Sequence, residues 1–296
     1  MNSFVEQFIH RTLALPIEEL EKLARNDKEY TFLSALALYT RNPAVIRDQL
    51  VAVLLAGRDT TAATLSWALY ELSARPDIVR RLREEISSRL RPEDTPSFAD
   101  LKSMKYLQAI LSETLRLYPV VPFNMRIALE DTTLPRGGGL DGSEQIQVKK
   151  NTVIAYTPLI MQRRKDLYPT SYDDGQPFPD HLLFEPERWL HSPSANPNTK
   201  VGSEPGQARD GGRSKNGPWM PNTWTYIPFN GGPRICIGQQ FAITEMGYTL
   251  VRIFQKFSRV ERRMKPEDCG LLKANIVLTP RKGVKVCFFE GEKPGS

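Results

Sequence analysis

The amino-acid sequence predicts a mainly α-helical fold with small β-sheets. The first half of the chain is dominated by segments that are typical of helices, in which apolar residues recur at helical spacing. After residue 119 the chain contains short strand-like segments separated by glycine and proline. The chain has 296 residues, of which 40% are hydrophobic, and it is therefore long enough to bury a core.

Three helices are predicted between residues 42 and 119. The longest covers about residues 43–75, because Asn42 can cap its first turn and Pro76 follows its end. The charged amphipathic segment DIVRRLREEISSRL predicts a second helix. A third covers about residues 103–118 and is stopped by Pro119.

The second half predicts strands, turns and one more helix. TVIAY, ANIVLTP and VKVCFFE have the composition of strands, and LPRGGGLDGSEQ is typical of a turn. Residues 191–223 are rich in Ser, Pro, Gly and Asn and predict a flexible surface loop. The last helix is expected from about Gly238 to Phe257.

Composition excludes several classes of function. The net charge of +6 is spread along the chain without a dense basic block, which argues against nucleic-acid binding and leaves an acidic protein or an anionic membrane surface as partners. Three cysteines give no disulfide framework and favour a reducing compartment. The longest apolar run, LVAVLLAG, is far shorter than the roughly 18 residues of a membrane span, so no transmembrane segment is predicted.

The stretch PFNGGPRICIG, residues 228–238, predicts a site for a large flat group beside Cys236. The cysteine precedes a predicted helix, whose N-terminal amides and dipole favour a thiolate. The glycines allow close approach of the backbone, the phenylalanine can pack beside the sulfur, and the arginine can neutralise an anionic edge. These residues are Phe229, Gly231, Gly232, Arg234 and Gly238. The alternative is a free buried cysteine, which would be the better interpretation of an isolated one.

The segment SETLR places Glu113 and Arg116 three residues apart, on one face of the third predicted helix. Taken alone, this spacing is typical of a surface ion pair worth about 0.2–0.5 kcal/mol.

The segment AGRDTT, residues 56–61, interrupts the long apolar helix with polar side chains. A glycine inside a helix costs about 1 kcal/mol relative to alanine, so Gly57 is expected to serve a purpose other than helix stability. Asp59 and Thr60 are predicted to face either a cavity or solvent.

These motifs together resemble the cytochrome P450 family. F-x-x-G-x-R-x-C-x-G, at residues 229–238, is similar to the haem-thiolate signature of that family. SETLR is similar to its E-x-x-R motif, with Arg188 of FEPERW as the third member of the network. AGRDTT is similar to the segment that activates oxygen, and Arg126 lies where family members place an arginine that contacts a haem propionate.

The resemblance implies a role for each residue. Haem b would be the cofactor, with Cys236 as the axial ligand of its iron. Thr60 and Asp59 would take part in oxygen activation and proton delivery. Glu113, Arg116 and Arg188 would form a structural network rather than a catalytic one.

Longer segments resemble the fungal branch of the family that hydroxylates alkanes and fatty acids. They are RDQLVAVLLAGRDTTA, LRLYPVVPFNMRIALEDTTLPRGGG, MQRRKDLY and FNGGPRICIGQQFAITE, and they lie between residues 47 and 245. The resemblance implies an enzyme, a monooxygenase that inserts one oxygen atom from O2 into a C–H bond of a hydrophobic small molecule, a long-chain alkane or fatty acid. NADPH-cytochrome P450 reductase would supply the electrons, and the endoplasmic reticulum membrane is the implied location.

The resemblance begins part-way through the family's fold. Residues 1–296 are therefore predicted to form a single partial domain, an N-terminally truncated cytochrome P450 fold. Two segments, residues 170–182 and 191–223, are longer than is usual in the family. The alternative function is that of a catalytically inactive truncated fragment that at most binds haem.

Overall fold

The structure is a computed structural model that describes residues 2–26, 30–168, 176–190, 221 and 224–291. The chain divides into two compact units, Met1–Thr60 and Thr61–Ser296. The single partial domain over residues 1–296 stays a prediction. The predicted flexible loop at 191–223 lies outside the described residues except at position 221, and so does the part of segment 170–182 before residue 176.

The Met1–Thr60 unit is helical. It contains α1 (Asn2–Leu13), α2 (Ile17–Ala24), α3 (Phe32–Tyr39) and the first part of α4 (Pro43–Leu72). Its core is formed by small and branched side chains from all four helices, namely Val5, Ile9, Leu20, Ala37 and Ile46. Each helix thus buries one apolar face inside this unit.

The long helix α4 begins where the sequence predicts. The Asn42 side chain accepts a hydrogen bond from the backbone N–H of Ala44 at 3.0 Å, so the predicted cap is confirmed. The helix ends at Leu72 rather than at residue 75, because Pro76 opens the next helix instead of merely following this one.

The described part of the Thr61–Ser296 unit is built around four longer helical segments. They are the end of α4, α5 (Pro76–Ser87), α7 (Lys105–Leu117) and α9 (Gln239–Lys256), and the short helices α6 (Phe98–Ser103) and α8 (Pro158–Met161) accompany them. In α5 the buried residues Ile78, Leu82 and Ile86 recur every four positions and pack on α7 and α9. Helix α7 starts later than residue 103 because Ser97 and Asp100 form a capping box that makes Phe98–Ser103 a helix of its own.

Four antiparallel two-stranded sheets lie in the described part of the same unit. The pairs are β1 (Asn124–Ile127) with β4 (Val153–Tyr156), β2 (Thr132–Gly138) with β3 (Glu144–Val148), β5 (Phe257–Arg262) with β8 (Val286–Glu290), and β6 (Leu272–Ala274) with β7 (Leu278–Pro280). In the first sheet Arg126 lies opposite Ile154. These small sheets hold loops in place rather than forming a continuous layer.

Two predictions about the strands were wrong. The segment ANIVLTP is not one strand, because β6 ends at Ala274 and a tight turn leads back into β7 at Leu278. The segment LPRGGGLDGSEQ is not only a turn. Strand β2 continues through it to Gly138, and a bulge between Leu134 and Gly138 absorbs the glycines.

The structure also bears on the predicted absence of a membrane-spanning segment. Within the described ranges, the helices are either too short or too polar to cross a bilayer.

Candidate cofactor-binding site

The loop that carries Cys236 is held by its own backbone. Asn230 N–H donates to the carbonyl of Ile227 at 3.0 Å, and Cys236 N–H donates to the carbonyl of Phe229 at 2.9 Å. Asn230 and Gly232 have φ values of 64° and 65°, a left-handed conformation that asparagine and glycine adopt most readily. The loop therefore folds back on itself and presents Cys236 at its surface.

The thiol stands just before helix α9. The helix begins at Gln239 with Gly238 as its N-cap residue, and the carbonyl of Gly238 accepts a hydrogen bond from Ala242 at 2.9 Å. A side chain at position 238 would begin 3.9 Å from the Cys236 sulfur, which is ordinary van der Waals contact. The predicted placement ahead of a helix is observed, and the helix dipole favours a negative charge there.

Large apolar side chains are exposed around this thiol. Ile235 is 54% exposed, Ile237 is 100% exposed and Phe241 is 70% exposed, whereas Phe229 packs against the main core. An exposed thiol bordered by exposed apolar side chains matches a large flat apolar group that carries a thiophilic metal. The donor set and its surroundings therefore fit haem.

Gly231 in the cysteine loop packs against an aromatic side chain of the protein itself. A Cβ atom at this position would lie 2.4 Å from the Trp224 ring, so the ring packs directly on the glycine. Trp224 itself has a φ of 71°. Sequence reasoning missed Trp224 because no local pattern links it to the cysteine loop.

The predicted propionate ligand Arg126 is connected to the cysteine loop through two other side chains. Its guanidinium lies 5.6 Å from the ring centre of Tyr156. The Tyr156 hydroxyl donates to Asn230 Oδ1 at 2.7 Å, and Asn230 Nδ2 donates to Asn124 Oδ1 at 3.2 Å. Asn230 thus joins sheet β1–β4 to the loop, a role that the sequence did not reveal. Arg234, which the sequence predicts to neutralise an anionic edge of the bound group, is exposed in the turn Gly232–Arg234.

Glu113, Arg116 and Arg188 are brought together in the core. Arg116 donates to both carboxylate oxygens of Glu113, through Nε at 2.7 Å and Nη2 at 2.8 Å. Arg188 Nε donates to Glu113 Oε1 at 2.9 Å. All three side chains are at least 99% buried, with exposures of 0%, 1% and 0%. Burial alone would raise the pKa of Glu113, but the two guanidinium groups overcome it, and the pKa is lowered.

Further donors and acceptors complete this network. Trp189 Nε1 donates to Glu113 Oε2 at 3.0 Å, and the backbone N–H of Glu185 donates to Glu113 Oε1 at 2.9 Å. The remaining guanidinium donors reach the Tyr168 hydroxyl and backbone carbonyls, including those of His181 and Leu183. Buried charges are tolerated when they are paired and fully hydrogen-bonded, and this network meets both conditions.

Asp59 and Thr60 lie in the Met1–Thr60 unit, whereas the other predicted site residues lie in Thr61–Ser296. Asp59 pairs with Arg58 at 2.6 Å and its side chain is 55% exposed. The hydrogen bond from Arg58 lowers the pKa of Asp59, so the carboxylate is ionised near neutral pH. Thr60 Oγ1 donates to the carbonyl of Ala56 at 2.7 Å. In the structure, AGRDTT is part of the uninterrupted helix α4, and a Cβ atom at Gly57 would have no neighbouring atom within 4 Å.

Almost the whole chain is similar in sequence to known proteins. The sequence model of the cytochrome P450 family matches residues 2–288. The chain is 50% identical over 292 residues to a protein named cytochrome P450 monooxygenase pvhE from Talaromyces variabilis, covering 98% of this chain and 48% of that protein. It is 41% identical over 296 residues to cytochrome P450 52A1 from Candida tropicalis, covering 98% and 47%.

A solved structure is similar as well. The crystal structure of a cytochrome P450, CYP102L1, matches with a TM-score of 0.59 at 26% identity, over 84% of this chain and 47% of that one. The chain spans about half the length of the curated relatives it matches.

Proposed function

The chain belongs to the cytochrome P450 family, and we propose that it carries the haem-binding part of a monooxygenase that inserts one oxygen atom from O2 into a C–H bond. The predicted family and the predicted fold class, a cytochrome P450 fold with mainly α structure and small sheets, are confirmed. Membership of the family implies haem b as the cofactor. The activity, the substrate and the partners are the proposal.

The single observation that supports this function best is the exposed Cys236 thiol in its hydrogen-bonded loop. Bound haem supplies the redox-active iron at which O2 is reduced. Cys236 would hold that iron through its sulfur, and Phe229 would keep the loop packed on the core beneath it. Covering the exposed Ile235, Ile237 and Phe241 would add roughly 25 cal/mol for each Å² of apolar surface removed from water.

Other residues would orient the group and move protons. Arg126 would neutralise a haem carboxylate, with Tyr156 stacked beneath its guanidinium. The Asp59 carboxylate, whose pKa the Arg58 hydrogen bond lowers, would accept a proton from solvent only transiently and pass it on, and the Thr60 hydroxyl is a donor close to it in the chain. These are proton-holding roles at named atoms, Asp59 Oδ1 or Oδ2 and Thr60 Oγ1.

We propose long-chain alkanes or fatty acids as substrates. The support is the resemblance of residues 47–245 to the fungal hydroxylase branch, and relatives of 40–42% identity are further cytochrome P450 proteins of yeasts. An NADPH-dependent cytochrome P450 reductase would supply electrons. Attachment at the endoplasmic reticulum membrane is part of the same proposal.

The proposal is tested by incubating the chain, loaded with haem, with reductase, NADPH and a long-chain fatty acid. Formation of a hydroxylated fatty acid is expected, and Thr60→Ala should lower its rate by at least about tenfold. Thr249→Ala is the matched control, because Thr249 Oγ1 likewise donates to the carbonyl four residues earlier, at 2.8 Å, but lies on α9. Equal rates in both variants would contradict the role of Thr60, and absence of product from fatty acids and alkanes would contradict the proposed substrate.

A second candidate is haem binding without turnover. The observation that favours it is the exposure of the proposed proton-delivery segment: the Asp59 side chain is 55% exposed, and its ion-pair partner in the described part of the chain is its neighbour Arg58. An open proton pathway would let water compete at the iron. Thiolate-ligated haem together with no product would favour this candidate.

A further inference from the structure

Gln162 connects two parts of the site that are distant in sequence. It follows helix α8 and is 1% exposed. Its Nε2 donates to the carbonyls of Leu115 and Arg116 at 3.0 and 3.1 Å, and its Oε1 accepts from the backbone N–H of Ile227 at 2.9 Å. Only this orientation of the amide works, because the reverse would set its oxygen against two carbonyls and its NH2 against an N–H.

One end of this side chain completes helix α7. Leu115 and Arg116 lie in the last turn of that helix, where carbonyl groups have no partner within the helix. Burying such carbonyls unpaired would be costly, and the Gln162 amide supplies a donor to each. The same turn carries the Arg116 side chain, whose Nη1 also approaches the Gln162 carbonyl at 3.5 Å. The position of Gln162 is therefore tied to the buried Glu113 network.

The other end leads to the thiol through successive hydrogen bonds. Gln162 Oε1 accepts a hydrogen bond from the N–H of Ile227, and the carbonyl of Ile227 accepts one from the N–H of Asn230 at 3.0 Å. The carbonyl of Phe229, inside that turn, accepts a hydrogen bond from the N–H of Cys236 at 2.9 Å. Displacing Ile227 would displace the turn that fixes Cys236.

We propose that Gln162 is a positioning residue for Cys236. Its hydrogen bonds fix the position of the cysteine loop relative to the end of helix α7. Its importance for haem binding rests on the proposed function, but its effect on the loop does not. The loop effect can be measured without haem, so the two proposals can fail separately.

The test is hydrogen exchange of the Cys236 amide in the haem-free 296-residue chain with Gln162→Ala. Loss of the bridge should speed this exchange by about tenfold, the effect of losing roughly one buried hydrogen bond. Gln255→Ala is a matched control. Gln255 Nε2 also donates to two backbone carbonyls, those of Arg91 and Asp94 at 2.9 and 3.0 Å, and its Oε1 also accepts a hydrogen bond, but it lies at the far end of α9.

Gln162→Met preserves side-chain length without hydrogen bonding, and it serves if the alanine variant does not fold. Unchanged exchange at Cys236 in both Gln162 variants, or an equal increase in Gln255→Ala, would overturn the inference. In the haem-loaded chain the Gln162 variants should also shift haem from the thiolate-ligated to the neutral-thiol spectrum, with Gln255→Ala unaffected. Faster exchange in the Gln162 variants, together with no haem uptake by the unaltered chain, would support the positioning role and contradict the proposed function.

Discussion

The Glu113 network and the Cys236 loop differ in burial and in how many of their interactions the chain itself supplies. Glu113, Arg116 and Arg188 are buried, and the protein supplies partners for their charges. Cys236 is exposed, and Ile235 and Ile237 beside it remain in contact with solvent. We therefore expect the internally paired Glu113 network to serve structure and the exposed Cys236 thiol, with its apolar neighbours, to serve binding. The predictions below test this difference, from the largest expected effect to the smallest.

Removing the carboxylate at the centre of the network should have the largest effect. Glu113→Ala leaves two buried guanidinium groups without their counter-ion and should lower the free energy of unfolding by about 3–5 kcal/mol. Urea unfolding of the haem-free chain measures it. Glu84→Ala is the control, because its ion pair with Arg80 is exposed, with side-chain exposures of 68% and 77%, and such pairs contribute about 0–1 kcal/mol. Similar losses in the two variants would mean that the network is not the structural element described here.

Glu185, which lies next to this network, should make the free energy of unfolding depend on pH. Burial, followed by a hydrogen bond with Glu187, raises the pKa of Glu185 from 4.5 to about 7. Between about pH 4.5 and pH 7 the folded state therefore holds a proton at Glu185 that the unfolded state releases, so the stabilising contribution of this group is full below about pH 4.5 and is lost by about pH 7. The full shift would correspond to roughly 3 kcal/mol, but solvent screens this partly exposed pair, so the loss should be on the order of 2 kcal/mol.

Urea unfolding at a series of pH values measures this dependence. Three groups near the pair also carry charge or titrate, so they must be kept unchanged: Arg75, Arg81 and Tyr106. Glu185→Gln should flatten the curve in this interval. A curve of unchanged slope in that variant would assign the pH dependence to another group.

A smaller effect is expected at the junction of sheet β1–β4 with the cysteine loop. Asn230→Ala removes the hydrogen bonds to Tyr156 and Asn124 and forces an alanine into a left-handed conformation, for a loss of about 2 kcal/mol. Asn230→Gly removes the same hydrogen bonds without the backbone strain and should cost about 1 kcal/mol less. Denaturant unfolding compares the two. Equal losses would show that the backbone at residue 230 is not strained.

Local patterns in the sequence predicted those features that depend on neighbouring residues. Asn42 and Pro76 predicted the start of α4 and a break near its end, since caps and prolines act within one turn. The spacing of Glu113 and Arg116 alone is typical of a surface pair. Its burial depends on Arg188 and Trp189, about 75 residues away, and only the family resemblance pointed to Arg188.

Contacts between distant segments account for what the sequence did not reveal. Trp224 packs on Gly231, Tyr156 binds Asn230, and Gln162 joins α7 to Ile227, and none of these pairs forms a local motif. The hairpin β6–β7 was missed because its turn contains neither Gly nor Pro, and the segment has the apolar composition of a single strand.

The central claim is that Cys236 is a binding residue whose side chain the fold does not need. The most direct measurement is the absorption spectrum of the reduced, carbon-monoxide-bound chain supplied with haem, beside Cys236→Ser and Cys269→Ser. We expect a thiolate-ligated Soret band that is lost in Cys236→Ser and retained in Cys269→Ser, while the free energy of unfolding of the haem-free chain changes by less than about 0.5 kcal/mol. A thiolate band that persists in Cys236→Ser, or no haem uptake by the unaltered chain, would contradict the account.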